Sequence, residues 1–254
     1  MKRKLNFKNL EIILNKNLIR LIVAEDHGFK IKKKYNKTFL NQKNIAYPAE
    51  YVIRIFKGDY PKLKLSKKKF LNKKICDVSC GDGRNLVFLN QCGFDTYGTE
   101  ISQEIVNKTK KNLSKFKIKS TLKIGTNSEI NFDNDFFDYL LSWNSVYYMG
   151  ENLDFNLHID EYARVLKKNG HLIMAIPKLA FHYFKGSKKI KPGYCIIKND
   201  PLKIRNGQIL RYFKNEKEIK DAFSKKFKNF IFGSIEDDCF GYNYHWYLVV
   251  CQKK

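Results

Sequence analysis

The chain has 254 residues, is 43% apolar and carries a formal net charge of +24. This is enough for one well-buried core with an accessory lobe, and no apolar run approaches the roughly eighteen residues needed to cross a bilayer. The excess charge is nearly all lysine, spread from end to end among abundant Asn, Ile, Phe and Tyr as A/T-rich coding produces, so the dense runs at 30–37 and 62–69 read first as solvated faces and only second as a nucleic-acid surface.

The start is basic, but Leu10, Ile13, Leu14, Leu18, Leu21 and Ile22 recur at helical spacing until Gly28, predicting a helix rather than a signal peptide. A second helix is predicted after Pro48, with Tyr51, Val52, Ile55 and Phe56 on one side. From residue 73 the pattern alternates, with strands near 74–78, 95–100, 120–124, 138–142 and 171–176 and helices near 84–92, 103–115 and 155–168. Ser102 suits an N-cap, Glu104 a first helical turn and Gly170 a helix stop. The stretches Phe230–Ile235 and Tyr244–Cys251 read as an antiparallel strand pair. Such alternation argues a parallel sheet covered on both faces. The six cysteines, at 76, 80, 92, 195, 239 and 251, form no C-x-x-C pair and read as reduced thiols of a cytosolic protein.

The most informative stretch is 74–100. An apolar run ends at Asp77, the turn Cys80-Gly81-Asp82-Gly83-Arg84 follows, and a second apolar run ends in Glu100, nineteen positions after Gly81. A glycine turn opening a helix attracts anionic groups, and an acid about twenty residues on suits ribose hydroxyls. A dinucleotide site wants a third small residue, where Leu86 stands.

The segment Asp77-Val78-Ser79-Cys80-Gly81-Asp82-Gly83, with Glu100, resembles motif I and the acidic post-motif of class I S-adenosylmethionine-dependent methyltransferases, with Ser79 in place of the usual first glycine. The stretches 131–142 and 164–177 resemble that family's passages into its fourth and fifth strands. The resemblance implies an α/β, Rossmann-like seven-stranded sheet, mostly parallel with an antiparallel C-terminal hairpin. An N-terminal helical lid (1–72) would precede a cofactor domain (73–254) carrying a substrate-side insert (181–229). The implied cofactor is S-adenosyl-L-methionine, released as S-adenosyl-L-homocysteine.

By motif position, Gly81 and Gly83 would admit the methionine part, Arg84 would meet its carboxylate and Asp77 its ammonium group. Glu100 would accept from both ribose hydroxyls. Asn127 or Ser128 would face adenine, and Asn144 would face both the ammonium group and the incoming acceptor. Candidates for a base at the carboxyl ends of the strands are His182 and His245, with Asp237 and Asp238 in the loop between the last strands. The aromatics Tyr35, Tyr47, Trp143, Tyr147, Tyr148, Tyr242 and Tyr244 cluster toward the expected mouth, where Tyr47, Tyr147 and Tyr148 suit acceptor binding, and Tyr47-Pro48-x-Glu50 with Arg54 resembles a lid element. The absence of [D/N/S]-P-P-[Y/F/W], of a Pro-Cys pair and of histidine metal spacing argues against DNA amine methylation, cytosine C5 methylation and a bound metal. The expected acceptor is a small polar molecule or a surface-glycan precursor, O- or N-directed. A tRNA or rRNA methyltransferase and a non-catalytic cofactor-binding protein are the alternatives.

Overall fold

The computed structural model describes residues 35–37, 40–42, 45–63, 65, 70–150 and 152–254; the leader helix predicted between Leu10 and Gly28 lies outside them. The chain runs α1 (Glu50–Lys57), β1 (Lys74–Val78), α2 (Arg84–Gln91), β2 (Asp95–Glu100), α3 (Gln103–Ser114), β3 (Thr121–Ile124), β4 (Phe137–Trp143) and β5 (Tyr148–Met149). It continues through α4 (Asn156–Val165), β6 (Leu166–Pro177), a 3-10 turn (His182–Phe184), β7 (Lys188–Lys191), β8 (Tyr194–Ile196), β9 (Ile209–Arg211), α5 (Glu216–Phe223), β10 (Phe227–Cys239) and β11 (Tyr242–Lys253).

Seven strands form one sheet in the order β3-β2-β1-β4-β6-β11-β10. The first five are parallel, and β11 runs antiparallel to both β6 and β10. Side chains alternate across a strand, and here both faces are apolar. Ile75, Tyr139, Leu141, Ile173 and Val250 pack with Val52, Ile55 and Phe56 of α1 and with Phe88 and Leu89 of α2. Their neighbours Cys76, Leu140, Leu172, Met174 and Val249 pack on the other face with Ile159 and Tyr162 of α4 and Ile219 and Phe223 of α5. This is why the strands read as near-continuous apolar runs. Ser102 caps α3 as expected, its hydroxyl accepting from the Ile105 N–H.

Two expectations need correction. Helix α4 ends at Val165, and Gly170 lies inside β6 rather than at a helix stop. A Cβ there would lie 2.8 Å from the Lys167 carbonyl oxygen and 3.1 Å from that of Asp138, so the glycine marks a close backbone approach within the sheet. The insert 181–229, for which sequence predicts no elements, builds α5 and most of a second, antiparallel sheet in the order β5-β9-β8-β7.

The terminal hairpin is longer than expected. β10 and β11 pair from Phe227 and Lys253 up to Cys239 and Tyr242, whereas β6 accompanies β11 only along Trp246–Gln252. The stretches 236–239 and 242–245 therefore extend past the sheet as a two-stranded ribbon at the edge where β4 ends.

Candidate active site

After β1 the backbone enters the left-handed region at Ser79 (φ 62°), Gly81 (φ 59°) and Gly83 (φ 87°). Glycine tolerates this freely, and Ser79 shows that the first motif position accepts a small side chain here. At Gly83 the missing side chain also admits α3: a Cβ would meet Thr109 Cγ2 at 3.0 Å and Leu113 Cδ2 at 3.2 Å. The turn carries Gly81 over the end of β2, where its N–H donates to Glu100 Oε1 at 2.7 Å. The Ile101 N–H donates to the other oxygen at 3.0 Å. Glu100 is fully buried, and burial raises its carboxyl to about 7 despite hydrogen bonds from Ile101, Gly81 and Tyr35. Asp77, at the tip of β1, is pushed by burial to about 8, against the Asn85 amide and the Arg84 charge. Two carboxyl groups thus sit at adjacent strand tips as the sequence predicts, both desolvated.

The space over Glu100 is filled by the chain itself. The Tyr35 hydroxyl donates to Glu100. Burial raises the Tyr35 phenol well above its ordinary value, and the Glu100 charge adds to this. The segment around it is strapped across the glycine turn by polar contacts. Asp82 Oδ2 accepts from the Ala46 N–H at 2.7 Å and the Gln42 amide at 3.1 Å. Lys108 Nζ donates to the carbonyls of Leu40 and Gln42, and the Ala49 N–H donates to Asn85 Oδ1. Asp82 and Asn85 thus hold the strap, roles that sequence reasoning missed although the acid between two glycines was in view. The site suits a nucleoside cofactor: a phenol hydroxyl donates to Glu100 as a sugar hydroxyl would.

At the end of β4, the strand next to β1, a cavity of about 770 Å³ opens between the start of α1 (Glu50, Tyr51), Trp143 and Asn144, and the overhanging ribbon with Trp246. Asn144 is left-handed (φ 58°), and its buried amide oxygen has no hydrogen-bond partner among the described residues. The ends of β1 and β4 are fixed by a buried network. Ser145 Oγ donates to the Val78 carbonyl at 3.0 Å and lies 2.8 Å from Ser142 Oγ, which lies 2.9 Å from the Tyr162 hydroxyl. That hydroxyl donates to Asn127 Oδ1 at 2.7 Å. Tyr162→Phe should leave the Asn127 oxygen without its donor and cost about 1–3 kcal/mol, read as a lower urea midpoint; an unchanged midpoint would remove Tyr162 from this role.

Other predicted residues fall elsewhere. The amide of Asn127 braces β4, its Nδ2 donating one hydrogen to the Ser145 carbonyl and its Oδ1 accepting from Tyr162. Ser128 stays exposed on that side. Tyr47 is 92% exposed and Tyr147 is wholly buried against Tyr148 and Trp246, and neither lines the cavity; α1 begins at Glu50 and carries the chain inward only past Tyr47. Tyr148 faces Tyr35 and accepts from Arg205 Nε at 2.8 Å. No sequence signal marked Arg205. His182 Nδ1 lies 3.2 Å from the Asn243 carbonyl among Phe181, Tyr242 and Tyr244, with burial lowering its pKa. Neither His182 nor His245 lines the cavity, whereas Asp237 and Asp238 do. Among the described residues no cluster suits a metal ion and no helix is long and apolar enough to cross a membrane.

Residues 75–170 match the family described as methyltransferase domain. Over 150 residues, 59% of this chain, the protein is 28% identical to the ubiquinone biosynthesis O-methyltransferase of Pelagibacter ubique (strain HTCC1062), spanning 58% of that protein's length. Among solved structures it resembles an S-adenosylmethionine-dependent methyltransferase from Methanosarcina mazei (TM-score 0.57, 18% identity, 77% of this chain and 98% of that one). A second, from Mesorhizobium loti, gives a TM-score of 0.55 at 14% identity over 74% and 94%. Residues 75–170 thus match a methyltransferase domain, and the likeness to these solved structures is one of fold.

Proposed function

We propose that the chain transfers a methyl group from S-adenosylmethionine to a small polar acceptor seated in the cavity beside Trp143 and Asn144. The observation that carries this reading is that β4, whose end lines the cavity, neighbours β1, and that Ala49 of the cavity wall donates to Asn85, which in turn donates to Asp77. The bound cofactor supplies a methyl carbon already activated by sulfonium charge. Glu100 would accept from the sugar hydroxyls, Asp77 would favour the ammonium end and Asn144 would stand between donor and acceptor. The protein's remaining work is alignment and exclusion of water. An acid-lined cavity does not suit a polyanion, which counts against an RNA acceptor despite the basic composition.

The test is calorimetry with S-adenosylhomocysteine followed by a metabolite screen with labelled methyl donor. Binding together with label in a small molecule is expected; absence of binding, or label only in RNA, would overturn the reading. His182→Ala and His245→Ala should both retain turnover within about threefold, because neither reaches the cavity. A ~100-fold loss in either would restore it as the base.

A further inference from the structure

Although the chain carries 49 Lys and Arg against 25 Asp and Glu, the cavity wall contains four carboxylates, Glu50, Glu236, Asp237 and Asp238, and no Lys, Arg or His among the described residues. Two have partners: Glu50 pairs with Arg54 at 2.7 Å and Glu236 with Lys178 at 2.5 Å. Asp238 accepts from the Gly241 N–H, and neither Asp237 nor Asp238 has a counter-ion among the described residues. Counting those partners, the described residues of the rim still include two carboxylates without a counter-ion, on a molecule of net charge +24. The walls are aromatic: Tyr51, Trp143, Tyr244 and Trp246, with Asp237 close enough to Tyr51 to raise its phenol after burial has done so. Asn144 adds an acceptor oxygen without a donor. Aromatic faces, unpaired carboxylates and a vacant acceptor together favour one kind of guest, a cation carrying N–H groups.

Building on the proposed methyl transfer, we infer that the acceptor is a cationic, amine-bearing small molecule, held by Asp237 and the faces of Trp143 and Trp246. A glycan precursor qualifies only if it carries an amino group. Transfer to such a group needs one proton to leave the ammonium for water. The nitrogen lone pair then forms the N–C bond while the C–S pair stays on sulfur, giving neutral S-adenosylhomocysteine and a methylated ammonium.

Trp143 and Trp246 are the only tryptophans of the sequence, so intrinsic fluorescence reports on this cavity. The protein is titrated with 3,3-dimethylbutylamine, protonated at neutral pH, and with its neutral isostere 3,3-dimethyl-1-butanol, with and without S-adenosylhomocysteine. The amine should act at a concentration at least about tenfold lower, and Asp237→Asn should bring the two midpoints within about twofold. Equal midpoints, or no response to the amine, would overturn the inference. Calorimetry with S-adenosylhomocysteine separates the two failures. Donor binding without amine preference sinks the acceptor class alone, and amine preference without donor binding sinks the methyl-transfer reading.

Discussion

Tyr35→Ala should bind S-adenosylhomocysteine about tenfold more tightly than the wild-type chain. In the cofactor-free fold the Tyr35 phenol donates to Glu100, the carboxylate proposed to hold the sugar. Entry of a nucleoside would therefore first break that hydrogen bond and displace the ring. A protein whose competent form is a fraction of the total binds more weakly by that fraction, and one buried hydrogen bond with an aromatic contact is enough for about a factor of ten. Tyr35→Phe keeps the ring and loses only the hydroxyl, so its gain should be smaller. Calorimetry on the three proteins decides the matter. Weaker binding by the alanine variant would mean that Tyr35 closes over a bound cofactor instead of standing in its place.

The second large effect concerns pH. Burial holds Glu100 near 7 and Asp77 near 8, so in the free protein both are largely neutral in mildly acid solution. Sugar hydroxyls and an ammonium group favour the charged carboxylates, so binding the donor should release protons between the ordinary carboxylate range and these raised values. The sign follows: affinity rises with pH and levels off above about 8. Between pH 7.5 and 5.5 the fall should exceed about tenfold. Glu100→Gln should weaken binding and flatten the lower part of the profile, leaving the part due to Asp77. Calorimetry in two buffers of different ionisation heat measures the released protons directly, and a flat profile with no release would count against both assignments. The same shifts make the cofactor-free fold less stable as pH rises through them, because the folded state holds protons that the unfolded chain has lost.

Sequence was most informative where chemistry is local. The distance from Gly81 to Glu100 is one β–α–β passage, and the N–H of one does meet the carboxylate of the other. The paired final strands were legible from their alternation, although their overhang was not. Glycines were readable as special positions without the reason being readable. Gly83 makes room for Thr109 and Leu113, and Gly170 yields to two carbonyls inside a strand; both partners are distant or depend on sheet register. Asn127 was assigned by position in a motif, but its amide is taken by Tyr162, thirty-five residues away, and by Ser145. Tyr35 was recognisable as one of several aromatics near the mouth. That it alone reaches Glu100 depends on how a strap lies over the sheet, which no local pattern encodes.

The overhanging ribbon has one more consequence. Its outer residues, 236–239 and 242–245, pair with each other and with no third strand, and one side is covered by the segment after β6: the Lys178 N–H donates to the His245 carbonyl, and Phe181 and His182 pack on Tyr242 and Tyr244. The ends of β1 and β4 are held by the buried Ser142–Tyr162–Asn127 network, whereas the ribbon keeps its place through one neighbouring segment. Under the proposed methyl transfer the two banks of the cavity would then be fixed by different means, one by the sheet and the other by the turn that follows β6.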